Sequence, residues 1–316
     1  MKIVFMGTPK AAVPSLERIL QDGHNVAAVY TQPDRPSGRG NKITFSPVKE
    51  FALHRALPLF QPTKVKTPEA LEEFRSHKAE VAVVVAYGRI LPQTFLETFP
   101  KGAINVHFSL LPKYRGAAPV NWAIVNGEER TGVTTMQMDA GLDTGDILLK
   151  RETQIDPRET SIELMDRLSF IGADLISETL AMFDELSGQP QKHDEATLAP
   201  IMKREDGLIN WEMTAGEIAN RVRGFQPFPG SFTTFKGQRL GIWKAAEVQR
   251  ENLEGLIFPV QRRVGEILEA KGDNLFVQCG NETVLRIDEV QPEGKRRVLV
   301  RDFVNGVQPK AGEVFG

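Results

Sequence analysis

The sequence predicts an α/β domain built on a parallel-rich sheet, followed by a small β-barrel. Three observations carry this prediction. Strand-like and helix-like runs alternate from residue 2 to residue 186. The most apolar of them, AEVAVVVAYG at 79–88, is continuous rather than alternating, as in a strand buried on both faces. After residue 187 the pattern changes to short strand-like runs punctuated by Gly, Asn and Asp.

The elements follow in order. KIVFMG at 2–7 is a buried parallel strand ending at Gly7. PSLERILQDG has apolar residues at helical spacing and Gly23 as its stop. NVAAVY at 25–30 is a second strand, so the chain opens β-turn-α-β. Residues 31–46 form a long polar loop rich in Pro and Gly, either a functional loop or a solvated excursion. SPVKEFALHRAL is a helix with Ser46 as N-cap. GAINVHF is the strand after the apolar run, and PVNWAIVNGE is a helix. GVTTMQMD and DILLKRET are strands, and 160–186 is a long amphipathic helix.

These runs divide the chain into a domain at 1–188, a polar, helix-poor linker at 189–206 and a barrel domain at 207–316. The barrel strands are GSFTTF, QRLGIWKAAEV, VGEILEA, LFVQCG and TVLRIDEV.

Composition sets bounds. The 316 residues are 41% hydrophobic and 25% charged, with net charge −2, so no global basic surface marks a nucleic-acid binder. The single Cys279 rules out an internal disulfide and reads as a strand-packing residue in a reducing compartment. MKIVFMGTP lacks the apolar core and cleavage site of a signal peptide, and no run reaches the length of a membrane span. A cytoplasmic protein without membrane association is expected.

Several chemistries lack their residues. Gly7-Thr8-Pro9 stands where a dinucleotide fingerprint would, without G-x-G-x-x-G or a phosphate loop, so NAD and ATP are disfavoured. Three of the five histidines fall on surface helices, turns or the linker, so no metal is expected. No G-x-S-x-G elbow occurs.

One constellation remains. In an extended 103–107, Asn105 and His107 point to the same side, near the carboxyl end of a strand, where open α/β sheets place ligands. Both side chains can donate hydrogen bonds to one developing oxyanion. MDAGLDTGD at 138–146 adds Asp139, Asp143 and Asp146, one of which would orient the imidazole and raise its pKa. Spacing alone leaves a backbone-satisfied core histidine as the alternative, and it does not select among the acids.

The motifs NVHxSLLPxYRGAAP and MDxGLDTGD resemble the folate-dependent formyltransferase family, in its branch acting on charged tRNA. TQPDRPSGRG, SPVK, VVVAYGRILP, KREDGLINW and FQPFPG extend the resemblance along most of the chain. It implies a Rossmann-like formyltransferase domain followed by an OB-like barrel. It also implies 10-formyltetrahydrofolate as one-carbon donor, and the amino group of methionine on initiator tRNA as acceptor. The family's catalytic trio falls on Asn105, His107 and Asp143. Its folate-contacting segment falls on Ser109, Leu110, Leu111 and Pro112. The resemblance assigns Arg39 to the acceptor end of the tRNA. Lys42, in the same loop, and Lys203 and Arg204, in the linker, are further phosphate-binding candidates. A monomer is expected. Residues 207–316 hold 15 Lys and Arg against 14 Asp and Glu, so any RNA surface is local. Other formylated amines, such as an amino-sugar nucleotide or glycinamide ribonucleotide, would share the same front domain. The sequence departs from the family at Phe108, where a small residue is usual. Phe108 either enters the core, opposite His107, or crowds the folate pocket.

Overall fold

The computed structural model describes residues 1–37, 42–248 and 263–316, and these form two compact units. The first comprises Met1–Pro119, Arg130–Gln154 and Leu164–Ala199.

Its centre is a seven-stranded sheet. In chain order its strands are β1 (Lys2–Gly7), β2 (Asn25–Tyr30), β5 (Leu59–Phe60), β6 (Val81–Val85), β7 (Ala103–His107), β9 (Arg130–Gln137) and β10 (Ile147–Gln154). In space they run β10-β9-β7-β6-β1-β2-β5. The five strands from β5 to β7 are mutually parallel, whereas β9 and β10 are antiparallel to their neighbours.

All five residues of β6 are buried, as the continuous apolar run predicts. Val4, Met6, Ala82 and Val84 meet Phe74 of α3 (Pro68–Ser76) and Phe95 of α4 (Gln93–Leu96). The alternate residues Ile3, Phe5, Val81 and Val83 are equally buried, so both faces are covered.

Local chemistry sets the helix starts. Helix α1 (Val13–Gln21) follows β1, where Gly7 has no room for a side chain: a Cβ there would lie 2.8 Å from that of Ala12. Ser46 caps α2 (Pro47–His54), its hydroxyl accepting from Lys49 N at 3.1 Å. Thr67 caps α3 in the same way, at 3.3 Å to Ala70 N. In the 31–46 loop, β3 (Arg35–Ser37) pairs with β4 (Lys42–Thr44).

Helix α6 (Ser161–Ala181) lies on the sheet at Gly172, where an added Cβ would sit 3.0 Å from Val106 and 3.4 Å from the Phe108 ring. Phe108 therefore enters the core beneath α6, on the opposite side from His107. The first unit extends to Ala199, beyond the expected end at 188. Gln189 bridges to Ile147, and β11 (Leu198–Ala199) pairs with β8 (Arg115–Gly116).

The second unit comprises Val120–Glu129, Ile155–Glu163 and Pro200–Gly316. Most of α5 (Pro119–Val125) belongs to it: Asn121 Nδ2 donates to Gly224 O at 2.7 Å, and Trp122 stands edge-on to Phe225. A contiguous boundary at 207 cannot express such excursions. Its sheet comprises β12 (Ser231–Phe235), β13 (Gln238–Glu247), β14 (Ile267–Lys271), β15 (Asn274–Gln278), β16 (Val284–Pro292) and β17 (Val298–Leu299). The antiparallel order is β12-β13-β16-β15-β14, with β17 beside β16. Residues 313–316 bond to both edges, Phe315 N to Gly265 O and Gly316 N to Thr234 O, and so link the ends of the sheet. Helices α7 (Ala215–Gly224) and α8 (Val300–Val307) supply Ile218, Val222 and Phe303 to its core.

Among the described residues no helix is long and apolar enough to cross a membrane.

Candidate active site

The parallel sheet ends its strands together, and β7 places Asn105 and His107 on one side, two residues apart at its carboxyl end. His107 is paired in register with Thr134 of β9 and is 5% exposed. Its Nε2 lies 2.9 Å from the carbonyl oxygen of Tyr114. A carbonyl only accepts, so Nε2 carries the hydrogen and Nδ1 faces the other way.

Nδ1 faces Asp143, 3.7 Å from Oδ2. Among the three acids of the 138–146 loop, Asp143 is the one joined to the strand end. Its Oδ1 accepts from Asn105 Nδ2 at 3.3 Å, and its Oδ2 accepts from Gly116 N at 2.9 Å. Asp143 holds a left-handed backbone, φ 52°. Asp139 instead closes its own turn, accepting from Gly141 N at 3.0 Å and from the Thr144 hydroxyl at 2.7 Å.

The segment Ser109–Pro112 forms a turn braced from β9 and β10. The Thr134 hydroxyl donates to Ser109 O at 2.7 Å and accepts from Leu111 N at 3.2 Å. Lys150 Nζ donates to Leu111 O, and burial holds its pKa below the ordinary lysine value. Ser109 and Leu111 are fully buried, while Leu110 and Pro112 are partly exposed.

The loop after β6 flanks this strand end. Tyr87 O accepts from the Thr8 hydroxyl at 3.2 Å and from Gln32 Nε2 at 3.0 Å. A cavity of about 370 Å³ opens there, lined by Thr8, Gln32, Asp34 and Gly88 among others. Two large apolar side chains stand out on neighbouring loops, Ile90 at 72% exposure and Leu142 at 57%.

Arg39 is outside the described residues, and Lys42 is described only as backbone in β4. Lys203 and Arg204 are exposed at a short turn. Among the described residues no group of three His, Cys, Asp or Glu could hold a metal.

Sequence reasoning missed the Tyr114 carbonyl, the Gly116 amide, Thr134 and the buried pair Arg115 and Gln191. No spacing signal marks the two backbone groups. The buried polar pair shows only once the chain is folded.

A parallel-rich sheet ending in a convergent Asn, His and Asp, joined to an antiparallel β domain, defines a class. The chain belongs to the formyl transferase family: the Formyl transferase model matches residues 1–180 and the Formyl transferase, C-terminal domain model matches 201–308. Its full-length relatives specify the branch. The methionyl-tRNA formyltransferase of Solibacter usitatus is 50% identical, covering 100% of this chain and 99% of the relative. That of Caldanaerobacter subterraneus subsp. tengcongensis is also 50% identical, over 100% of both. Among solved structures, the methionyl-tRNA formyltransferase from Clostridium thermocellum has a TM-score of 0.56 at 20% identity, covering 78% of this chain and 93% of that one. A Helicobacter canadensis N-formyltransferase, solved with folinic acid and dTDP-3-aminofucose, shares the fold at TM-score 0.66 and 20% identity, over 92% and 99% of the chains.

Proposed function

We propose that this enzyme transfers the formyl group of 10-formyltetrahydrofolate to the amino group of methionine on initiator tRNA, with Asn105, His107 and Asp143 as its catalytic residues. The observation that carries the reading is the convergence of those three side chains at the carboxyl end of β7, in a chain similar over its whole length to methionyl-tRNA formyltransferases.

The chemistry needs an amine to attack a formyl carbon while negative charge grows on the formyl oxygen. Asn105 has two amide hydrogens. One is spent on Asp143, and the other donates to that oxygen. The Tyr114 carbonyl occupies Nε2–H of His107, so Nδ1 is the ring nitrogen that serves the reactants. Protonated at Nδ1, His107 is a second donor to the oxyanion, and Asp143 supplies the counter-charge. The new C–N bond forms at the methionyl nitrogen, and the C–N10 bond of the donor breaks. The proton lost by the former is delivered to N10 through Nδ1 or a bridging water. These steps use no covalent enzyme intermediate.

The donor's flat, polar-edged ring suits the strand ends. Exposed Ile90 and Leu142 offer apolar walls, and the braced Ser109–Pro112 turn offers backbone groups. Arg39, Lys42, Lys203 and Arg204 supply cations for tRNA phosphates. We read the enzyme as a cytoplasmic monomer.

Sugar-nucleotide acceptors have less support. The solved sugar and tRNA enzymes both stand at 20% identity and show the fold, whereas the relatives 50% identical over the full length are methionyl-tRNA formyltransferases. The test presents the enzyme and formyl donor with charged initiator tRNA, charged elongator tRNA and an amino-sugar nucleotide in parallel. Formylation of the initiator alone is expected, and preference for the sugar would overturn the reading.

A further inference from the structure

We propose that Gln191 is a positioning residue for this reaction, holding Asp143 in place from behind the site. The inference rests on the assignment of Asp143 above.

Gln191 lies in the stretch after α6 that composition marks as linker, yet it is only 6% exposed. Its side-chain amide is fully used. Nε2 donates to the carbonyl of Asp143 at 2.9 Å and to that of Gly145 at 2.7 Å. Oε1 accepts from Arg115, from Nη2 at 2.7 Å and from Nε at 3.1 Å. Arg115 is itself 6% exposed, and its Nη1 lies 3.2 Å from His193 Nδ1. A primary amide presents two donors and one two-lone-pair acceptor, and all four are committed here.

The consequence for Asp143 is geometric. A non-glycine residue at φ 52° persists only where its surroundings over-determine it. Gln191 fixes its carbonyl, Gly116 N and Asn105 Nδ2 fix its two carboxylate oxygens, and Gly145 has no room for a Cβ against Gln137 O. The same stretch holds the other side of the site. Thr197 Oγ1 accepts from Tyr114 N at 2.9 Å, and Thr197 O accepts from Arg115 N at 2.9 Å. Gly116 is pressed against Ala199, where a Cβ would lie 2.7 Å from the carbonyl oxygen. Residues 191–199 thus anchor both the backbone that carries the Asp143 carboxylate opposite Nδ1 of His107 and the backbone that holds Nε2. Gln191 is the member of that stretch that reaches Asp143.

Two variants separate its contacts. Gln191→Met keeps the volume and removes every hydrogen bond. Gln191→Glu keeps an acceptor for Arg115 and removes the donors to Asp143 and Gly145. Each is made in the wild-type and Asp143→Asn backgrounds, with kcat, tetrahydrofolate affinity and melting temperature measured. Misplacing a reacting group by about 1 Å costs on the order of 100-fold, so we expect kcat to fall about 10- to 100-fold in either variant. Tetrahydrofolate affinity should stay within about twofold, and most of the loss should vanish in the Asp143→Asn background, as it does when residues act as one unit. Gln191→Glu keeps the readout available if Gln191→Met does not fold. The inference is overturned if kcat is unchanged, if the loss lies in folate affinity, or if the same fold-loss recurs in Asp143→Asn. Wild-type turnover in Asp143→Asn alone would instead overturn the assignment of Asp143, and this inference with it.

Discussion

His107 and Tyr114 are joined through the imidazole Nε2 and a backbone carbonyl, 2.9 Å apart and seven residues distant in the chain. Tyr114 adopts a left-handed φ of 60°, which turns that carbonyl toward the strand end. Such a conformation costs on the order of 1 kcal/mol or more for a residue with a side chain. Its backbone is tied to residues 197–199, so the fold meets that cost and in return holds the ring in one tautomer.

Phe108 bears on stability and not on folate. The ring is 5% exposed beneath α6. Phe108→Ala should destabilise the protein by about 3–5 kcal/mol, read by denaturant unfolding. Tetrahydrofolate affinity of the folded variant should match wild type. Changed affinity with unchanged stability would put the ring in the folate pocket after all.

Cys279 should be inert in the folded protein. It is buried, and burial pushes its thiol up to about 12. A folded pKa above the unfolded one stabilises fully below the unfolded value, about 8.5, and that contribution is lost as pH rises through the folded value. Iodoacetamide at pH 8 should therefore label the unfolded chain only. Unfolding free energy should decline above about pH 9, and Cys279→Ala should flatten part of that decline. Rapid labelling of the native protein would show an accessible thiolate instead.

Lys203 and Arg204 should engage tRNA as point charges. Each alanine substitution should weaken initiator and elongator tRNA alike, and lower the slope of log affinity against log salt by about one. Loss of discrimination without a changed slope would mean base contact, and no loss would remove both from the RNA surface.

Much of this architecture was legible. Each strand called in the sequence forms, because buried strands announce themselves as β-branched apolar runs between turn residues. Helices α3, α4, α7 and α8 lie outside what the sequence predicts. Helix α7 carries a readable capping box at Thr214 and Glu217, but its apolar stripe is narrow within a polar stretch. Helix α8 runs directly out of β17, and its first residue, Val300, continues that strand-like VLV run.

In the site, Asn105 and His107 share a face by simple alternation, which any extended segment enforces. Spacing does not choose among Asp139, Asp143 and Asp146; the resemblance picks Asp143, and the bonds from Asn105 and the Gly116 amide are what join it to the strand end. Gln191 meets Arg115 across 76 residues of chain, a separation for which local spacing carries no signal.

The most direct measurement is the single-turnover formylation rate of His107→Ala with 10-formyltetrahydrofolate and charged initiator tRNA, alongside its tRNA affinity. Loss of an oxyanion donor costs about 100- to 1,000-fold, so the rate should fall by at least that much while tRNA affinity holds within about twofold. A rate near wild type would mean that the histidine at the end of β7 only packs.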